Sequence, residues 1–176
     1  MKKLALLSVT LVVLFGCHTY PTPTAAMAMA TIAPVGGSNV NGTVHLQDMP
    51  DGSVMGKIDL TGLTPGDHGF HIHENGSCDD NGNAAGPHFN PASAPHGSPT
   101  GGPHHAGDFG NITAGANGEA HTTITIAPKG VLSVYPGAIS AVGHAFIVHG
   151  GMDDLTSQPS GNSGPRIGCG VITLMQ

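Results

Sequence analysis

The sequence is short of the residues that build large aromatic cores and of basic residues. It contains no Trp, and aromatic residues make up 4% of its 176 positions. Five Lys and Arg stand against eleven Asp and Glu, which argues against a nucleic-acid-binding protein because such proteins need basic surfaces. The apolar stretch at residues 4–15 is shorter than the roughly 20 residues that a transmembrane helix needs.

Glycine, proline and histidine are abundant instead. The chain has 28 Gly and 14 Pro, which favours many short strands joined by turns over a helical bundle. Its twelve His outnumber Lys and Arg, and histidine is the commonest metal ligand in proteins. The composition therefore indicates a metal site, with scattered surface histidine as the alternative.

Residues 1–17 predict a signal peptide rather than part of the fold. Two lysines, Lys2 and Lys3, precede the apolar residues 4–15, and "LFGC" ends the segment at Cys17. This pattern resembles a bacterial lipoprotein signal, in which the cysteine becomes the lipidated first residue. We expect an exported protein, periplasmic or on the cell surface and anchored to a membrane through Cys17, with plain secretion as the alternative.

Residues 18–30 predict a Pro/Thr/Ala tether, and residues 31–176 predict one domain. Without the two leader lysines, the chain keeps three basic residues against eleven acidic ones, a formal charge of −8. Cys78 and Cys169 remain outside the leader, and an even pair in an oxidising compartment predicts a disulfide. Its loop of about 90 residues would contribute about 4–5 kcal/mol of stability.

Alternating apolar residues predict strands; Val54, Ile58 and Leu60, for example, share one face. The predicted strands are 40–47, 53–62, 67–73, 119–127, 144–149 and 170–175. The sequences "MPDGS" at 49–53 and "GANG" at 115–118 predict hairpin turns. No helix of ten or more residues is predicted, so we expect an antiparallel β-sandwich or Greek-key barrel.

Two long segments, 74–107 and 150–166, interrupt the strands. Loops of this length are uncommon in compact domains unless they are functional or disordered. The first segment holds four histidines, and a bound metal can order such a loop where hydrophobic burial cannot.

The stretch "GFHIHENGSC" at 69–78 places two histidines on one face of a predicted strand. Phe70 and Ile72 should face the core, so His71 and His73 should project outward, side by side. His68 shares the inward face, and we expect it to be buried and hydrogen-bonded to the backbone.

Further metal-ligating side chains follow in "GPHFNP", "APHGS", "HHAGD" and "FIVHG". They are His88, His96, His104, His105, Asp108 and His149. Because no free thiolate is available, imidazoles with one carboxylate favour copper and zinc.

The motifs "GFHIHENGSC", "GPHFNP", "HHAGDFGN", "FIVHGGMDDL" and "GNSGPRIGCGVI" together resemble the copper,zinc superoxide dismutases, in order and spacing, over about residues 31–176. The resemblance implies the family's fold, an eight-stranded Greek-key β-barrel (an immunoglobulin-like sandwich) with two long functional loops. It also implies a copper ion and a zinc ion as cofactors.

The resemblance implies two ligand sets that share His88, which matches the family's bridging imidazolate. The copper set is His71, His73, His88 and His149, and the zinc set is His88, His96, His105 and Asp108. His105 is preferred to His104 because the family pattern H-x-G-D places the ligand three residues before the aspartate.

Three further matches complete the implied site. Asp153 matches a carboxylate that hydrogen-bonds one histidine of each set, His71 and His96. Arg166 matches an arginine that holds the anion beside copper. The resemblance therefore implies two catalytic residues, Arg166 as the anion-binding group and His88 as the proton donor. Cys78 and Cys169 match the family disulfide.

The implied function is dismutation of superoxide to O2 and H2O2 by a redox-cycling copper bridged to zinc, protecting the cell envelope. The main alternative is a periplasmic copper- or zinc-buffering protein without turnover. A copper-only relative is disfavoured by the zinc set, and a structural lipoprotein would leave the histidines unexplained. The sequence leaves open whether the protein is a monomer or a homodimer.

Overall fold

The computed structural model describes residues 26–126 and 131–175. The predicted signal peptide, with Cys17, and residues 18–25 of the predicted tether lie outside these ranges. The described part contains one helical element, the 3-10 helix Asn83–Ala85. Its strands are β1 Met27–Pro34, β2 Asn41–Asp48, β3 Val54–Thr61, β4 Gly66–His73, β5 Asp108–Ala114, β6 Ala120–Ile126, β7 Ala145–His149, β8 Arg166–Val171 and β9 Thr173–Leu174.

The strands form one antiparallel sheet that curls into a nearly closed barrel. Its order is β5-β4-β7-β8-β1-β2-β3-β6, and the short β9 pairs with β1. Some neighbouring strands are far apart in the sequence, as in a Greek key. Strand β3 pairs with β6, and β4 pairs with β7. The predicted eight-stranded Greek-key barrel is confirmed. Among the described residues, none of the helical structure has the length and hydrophobicity of a membrane span.

The two predicted hairpin turns have different outcomes. Residues 49–53 do join paired strands, β2 and β3. Residues 115–118 form a tight turn in which Gly118 N donates to Gly115 O (2.9 Å). However, the strands that this turn joins, β5 and β6, stand at opposite ends of the strand order, and no ladder connects them among the described residues. The turn therefore crosses the seam of the barrel.

Strand alternation builds the barrel core as predicted. Val54, Ile58 and Leu60 of β3 are buried, and the residues between them are more exposed. In β4, Phe70 faces inward and stacks on Phe146 with ring centroids 4.8 Å apart. This aromatic pair holds β4 against β7, the two strands that carry three of the candidate ligands.

Strand β1 begins at Met27, so residues 27–30 belong to the domain and the predicted tether is too long by this segment. Its sequence, rich in Ala, Met and Thr, resembles the tether in composition, and only the burial of alternate residues such as Ala28 and Ala30 distinguishes it. Strands β1 and β5 were not predicted. The last predicted strand, 170–175, begins too late, since β8 starts at Arg166.

Candidate metal centre

The metal-ligating side chains meet where two strands and two long loops converge. Strand β4 contributes His71 and His73, and the end of β7 contributes His149. The loop that follows β4 contributes the remaining histidines, and Asp108 opens β5. Each of these residues is at most 7% exposed. The prediction that His71 and His73 project outward is therefore wrong in one respect. They do face away from the core, but the loops cover them.

Four imidazole nitrogens converge in the first group, which consists of His71, His73, His88 and His149. Their ligand atoms lie within 4.8 Å of one another. The four atoms, His71 Nδ1, His73 Nε2, His88 Nε2 and His149 Nε2, are buried and have no hydrogen-bond partner. A buried polar atom without a partner costs about 1–3 kcal/mol, so four at one point indicate a site built for a metal cation.

The other nitrogen of each ring is fixed by a hydrogen bond. His73 Nδ1 donates to Gly86 O (2.8 Å), and His149 Nδ1 donates to Gly164 O (3.1 Å). His71 Nε2 donates to Asp153 Oδ2 (2.7 Å). Each bond places the proton on the outer nitrogen and leaves the inner lone pair free, the arrangement that metal-binding histidines require.

The second group consists of His88, His96, His105 and Asp108. The Nδ1 atoms of the three histidines lie 2.8, 3.0 and 3.2 Å from Asp108 Oδ1. Three imidazoles and one carboxylate form a donor set that suits zinc. The structure brings His105 into this group, whereas His104 points its Nδ1 at the carbonyl oxygen of His105 (2.8 Å).

The ring of His88 belongs to both groups. Its Nδ1 faces Asp108 in the second group, and its Nε2 is one of the four unpartnered nitrogens of the first. The two groups are thus joined by a single imidazole, which fits the predicted bridge in geometry.

Asp153 links the two groups from outside. One of its oxygens accepts from His71 Nε2, and the other accepts from His96 Nε2 (3.0 Å). Burial opposes ionisation, but the hydrogen bonds from these two histidines lower the pKa of Asp153 below its ordinary value. Asn111 holds the backbone of Asp153 through a reciprocal pair of bonds, of 2.7 and 2.8 Å. Asn111 was not singled out from the sequence.

Three buried rings of the first group, those of His73, His88 and His149, are neutral at physiological pH because their pKa values are lowered. Burial and neighbouring imidazoles lower the pKa of His149 to about 3. Burial lowers the pKa of His88 to about 4, although its hydrogen bond to Asp108 acts in the opposite direction. Burial also lowers the pKa of His73 well below its ordinary range. Neutral rings keep the lone pairs that bind metal.

A cavity of about 340 Å³ opens onto the first group and is lined by His73, His88, His149 and Arg166. The Arg166 guanidinium donates to Gly82 O and to Gly86 O (2.7 Å for the latter). Within residues 26–126 and 131–175 it forms no ion pair, whereas Lys57 pairs with Asp59. The cavity therefore carries a fixed positive charge that no carboxylate neutralises.

Cys78 and Cys169 form the predicted disulfide, with Cα atoms 5.7 Å apart. The bond joins the loop after β4 to β8, three residues beyond Arg166. The carbonyls that accept from Arg166 lie in the same loop. The disulfide therefore anchors the segment that positions both the arginine and His88.

Two positioning contacts escaped the sequence reasoning. His144, to which no role was assigned, donates from Nδ1 to Glu74 O and stacks on Phe89 with centroids 4.0 Å apart. Each of these partners directly follows a member of the first group, His73 or His88. No local motif marks His144, because its partners are distant in sequence.

Gln158 and Gly161 fit the second loop against His96. The backbone of His96 donates to Gln158 Oε1 (2.9 Å) and accepts from Gln158 Nε2 (2.8 Å). Gly161 has φ +65°, and a Cβ there would collide with Asp153 Oδ1. A side chain is excluded at this position because the loop presses directly onto the bond between Asp153 and His96.

His68 behaves as the sequence predicted. It is 1% exposed, and its ring bonds the carbonyl oxygens of His149 (2.7 Å) and Thr64 (2.8 Å). It lies outside both ligand groups and connects the end of β7 to the turn before β4.

Comparison with known proteins agrees with the site. The family model "Copper/zinc superoxide dismutase" matches residues 40–172. An extracellular superoxide dismutase (Cu-Zn) of Brugia pahangi is 42% identical over 159 residues, 85% of this chain and 76% of the relative. Superoxide dismutase (Cu-Zn) 2 of Mesembryanthemum crystallinum is 40% identical, over 79% of this chain and 90% of the relative. A superoxide dismutase (Cu-Zn) of Onchocerca volvulus is 38% identical, over 84% of this chain and 98% of the relative. The chain therefore belongs to the copper/zinc superoxide dismutase family and is an oxidoreductase that uses copper and zinc to act on superoxide.

Proposed function

We propose that His71, His73, His88 and His149 hold copper and that His88, His96, His105 and Asp108 hold zinc, with His88 bridging the two ions. The observation that carries this assignment is the set of four buried nitrogens without hydrogen-bond partners beside a three-imidazole, one-carboxylate group. When bound, copper supplies the one-electron redox chemistry of dismutation, and zinc, which is redox-inert, supplies a fixed charge.

Arg166 binds the substrate anion. Its guanidinium lines the cavity and is held by two backbone carbonyls, so its direction is set before superoxide arrives. With a formal charge of −6 for the whole chain, the protein as a whole repels an anion. A local cation at the cavity is therefore needed to concentrate superoxide there.

His88 would supply a proton at Nε2 while this atom is not bound to copper, because its one lone pair can hold either the metal or a proton. This atom has no protein partner, and its ring lines the cavity beside the place where Arg166 holds the anion. Nδ1 is turned toward Asp108, so the ring stays in place when its Nε2 gains or loses a proton. Delivery of this proton to the reduced substrate contributes one of the two protons of H2O2.

Asp153 fixes the tautomers of one ring in each ligand group. Its two oxygens accept from His71 and His96, and this directs the opposite nitrogen of each ring at its metal. Asp153 is a positioning residue, since it lies outside both ligand groups.

Turnover, rather than metal storage, is favoured by Arg166. A buffering protein needs ligands but no anion-binding group beside them, and the guanidinium is one of the side chains that line the cavity over the first group. The shared His88 ring likewise has a use in catalysis that a store does not need.

We further propose that the protein is exported and protects the cell envelope from superoxide. The basic and apolar leader, the disulfide and the extracellular relative support export. A lipid on Cys17, with the residues up to 26 as a tether, would hold the domain at a membrane. Replacing Cys17 by Ser should release the protein from the membrane fraction and abolish palmitate labelling; unchanged partitioning would reject the anchor.

The central test is metal content together with superoxide turnover of the purified mature protein. We expect one copper and one zinc per chain, and His88→Ala should lower turnover at least roughly a hundredfold because it removes a donor from both groups. His121→Ala, a change at an exposed histidine, is the matched control. Unchanged turnover of His88→Ala at neutral pH would reject the bridging role.

A further inference from the structure

Methionines gather on one outer face of the barrel. The sequence has seven Met, and Met27, Met29 and Met175 lie on β1 or directly beside it. Ala28 and Ala30 of β1 are buried, so the alternate residues Met27 and Met29 point outward.

Strand register places a histidine and a third methionine beside this pair. In the ladder between β1 and β2, Met29 is directly opposite His45. On the other side of β1, Met175 N donates to Met27 O (2.8 Å), which continues the pairing of β9 and sets Met175 opposite Met27. Directly opposed residues have Cβ atoms about 4.5–5.5 Å apart, and Met27 and Met29 are about 7 Å apart along the strand. Flexible thioether side chains can close these gaps.

Met27 and Met175 are open to solvent and Met29 is half-buried, on a face that is mostly polar but also carries Met55, opposite Gln47. Met27 and Met175 are each 38% exposed. Neighbouring outward positions carry polar side chains, for example Thr43, Lys57 and Thr123. The His45 imidazole makes no hydrogen bond or ion pair with the described residues. The four side chains therefore offer three sulfur atoms and one imidazole without competing partners inside the described chain.

This donor set differs in kind from the buried one. Thioether sulfur is a soft ligand that selects Cu(I), and imidazole is also a copper ligand. The two buried groups contain only imidazole and carboxylate. We propose that Met27, Met29, Met175 and His45 form a surface site for Cu(I), separate from the metal centre and carried by strands β1 and β2 and the chain just after β9.

The test uses the mature protein with its copper and zinc sites filled and the copper reduced, so that extra binding is not to the metal centre. Cu(I) is supplied without oxygen as its bicinchoninate complex. We expect one further Cu(I) per chain, and Met27→Leu/Met29→Leu should bind it at least tenfold more weakly. His45→Asn should weaken binding as well. Met and Leu have similar volumes, so the fold and superoxide turnover should be unaffected.

Met152→Leu is the matched control, because Met152 is 55% exposed but lies in the loop after β7. In protein labelled at the methionine methyl groups, the resonances of Met27, Met29 and Met175 should shift during the Cu(I) titration, and that of Met152 should not. No extra uptake by the wild type, or equal uptake by Met27→Leu/Met29→Leu, would overturn the proposal. A third outcome would also overturn the proposal: the wild type takes up no extra Cu(I), and Met27→Leu/Met29→Leu loses self-association. That result would assign this face to contact with a second copy of the chain.

Discussion

Arg166 and His73 donate to the same carbonyl oxygen, that of Gly86. The guanidinium Nη2 lies 2.7 Å from this oxygen, and the imidazole Nδ1 lies 2.8 Å from it. One peptide group thus sets both the direction of a ring of the first ligand group and the position of the guanidinium beside it. The proposed anion-binding group and the proposed copper ligand are positioned together, which is the pre-organisation that binding of a small anion needs.

Replacing Arg166 by Ala should lower kcat/KM for superoxide by about tenfold or more, because the cavity loses its local positive charge. Arg166→Lys should recover part of this loss, since it restores charge without the planar contacts to Gly82 and Gly86. Stopped-flow measurement of superoxide decay gives the rate, and metal analysis confirms that both ions remain bound. Equal rates for the wild type and the Ala variant would exclude the anion-binding role.

Replacing Asp153 by Asn should weaken copper and zinc binding by about 10- to 100-fold, because the amide cannot accept from both His71 and His96 in the way that two carboxylate oxygens do. Competition with a metal chelator measures both affinities. Asp67→Asn, a change at an exposed carboxylate that bonds Thr113, is the control. If chelator competition does not separate Asp153→Asn from this control, the positioning role is wrong.

Removing the disulfide with Cys78→Ser/Cys169→Ser should lower the free energy of unfolding of the metal-free protein by about 2–5 kcal/mol. The two cysteines are separated by 91 residues, so the bond removes much entropy from the unfolded chain. Urea unfolding followed by circular dichroism measures the change. The double variant should also bind copper more weakly. The loop after β4, which contains His88 and whose carbonyls hold Arg166, loses its anchor to β8. Unchanged unfolding free energy and unchanged copper affinity would contradict this account.

The metal-free protein should be most stable near pH 6.5–7. His88 and His149 have pKa values of about 4 and about 3 in the fold. The unfolded chain takes up protons at these residues below about pH 6.5 while the folded chain does not, so stability falls on the acid side. Burial opposes protonation of His96, but its bonds to Asp108 and Asp153 raise its pKa to about 9, so its contribution is lost as the pH rises from about 6.5 through 9.

Urea unfolding of the metal-free protein between pH 5 and 9 tests this profile. In His96→Gln, the decline between about pH 6.5 and 9 should be weaker, whereas the decline on the acid side should remain. A wild-type stability that rises steadily from pH 6.5 to 9 would contradict the assignment of His96.

The side chains that converge in the two ligand groups could be singled out from the sequence because their determinants are local. Period-two alternation places Phe70 and Ile72 in the core and turns His71 and His73 to the other face, whatever the rest of the chain does. The motifs around His88, His105 and His149 carry the family resemblance in the same local way. Strand β1 was missed for a related reason, since its composition continues that of the segment before it and pairing alone reveals the strand.

The sequence by itself determined the all-β class and the disulfide pair through residue type and alternation, and the barrel and the seven candidate ligands through the motifs that carry the family resemblance, because these signals act over a few positions. Only the tertiary structure decided which carbonyl Arg166 and His73 share, that His144 joins the two ligand-bearing segments, and that Met29 stands beside His45. Those contacts join residues far apart in the chain, such as Met27 and Met175. They depend on strand register and loop packing, which many distant residues set together and no short stretch encodes.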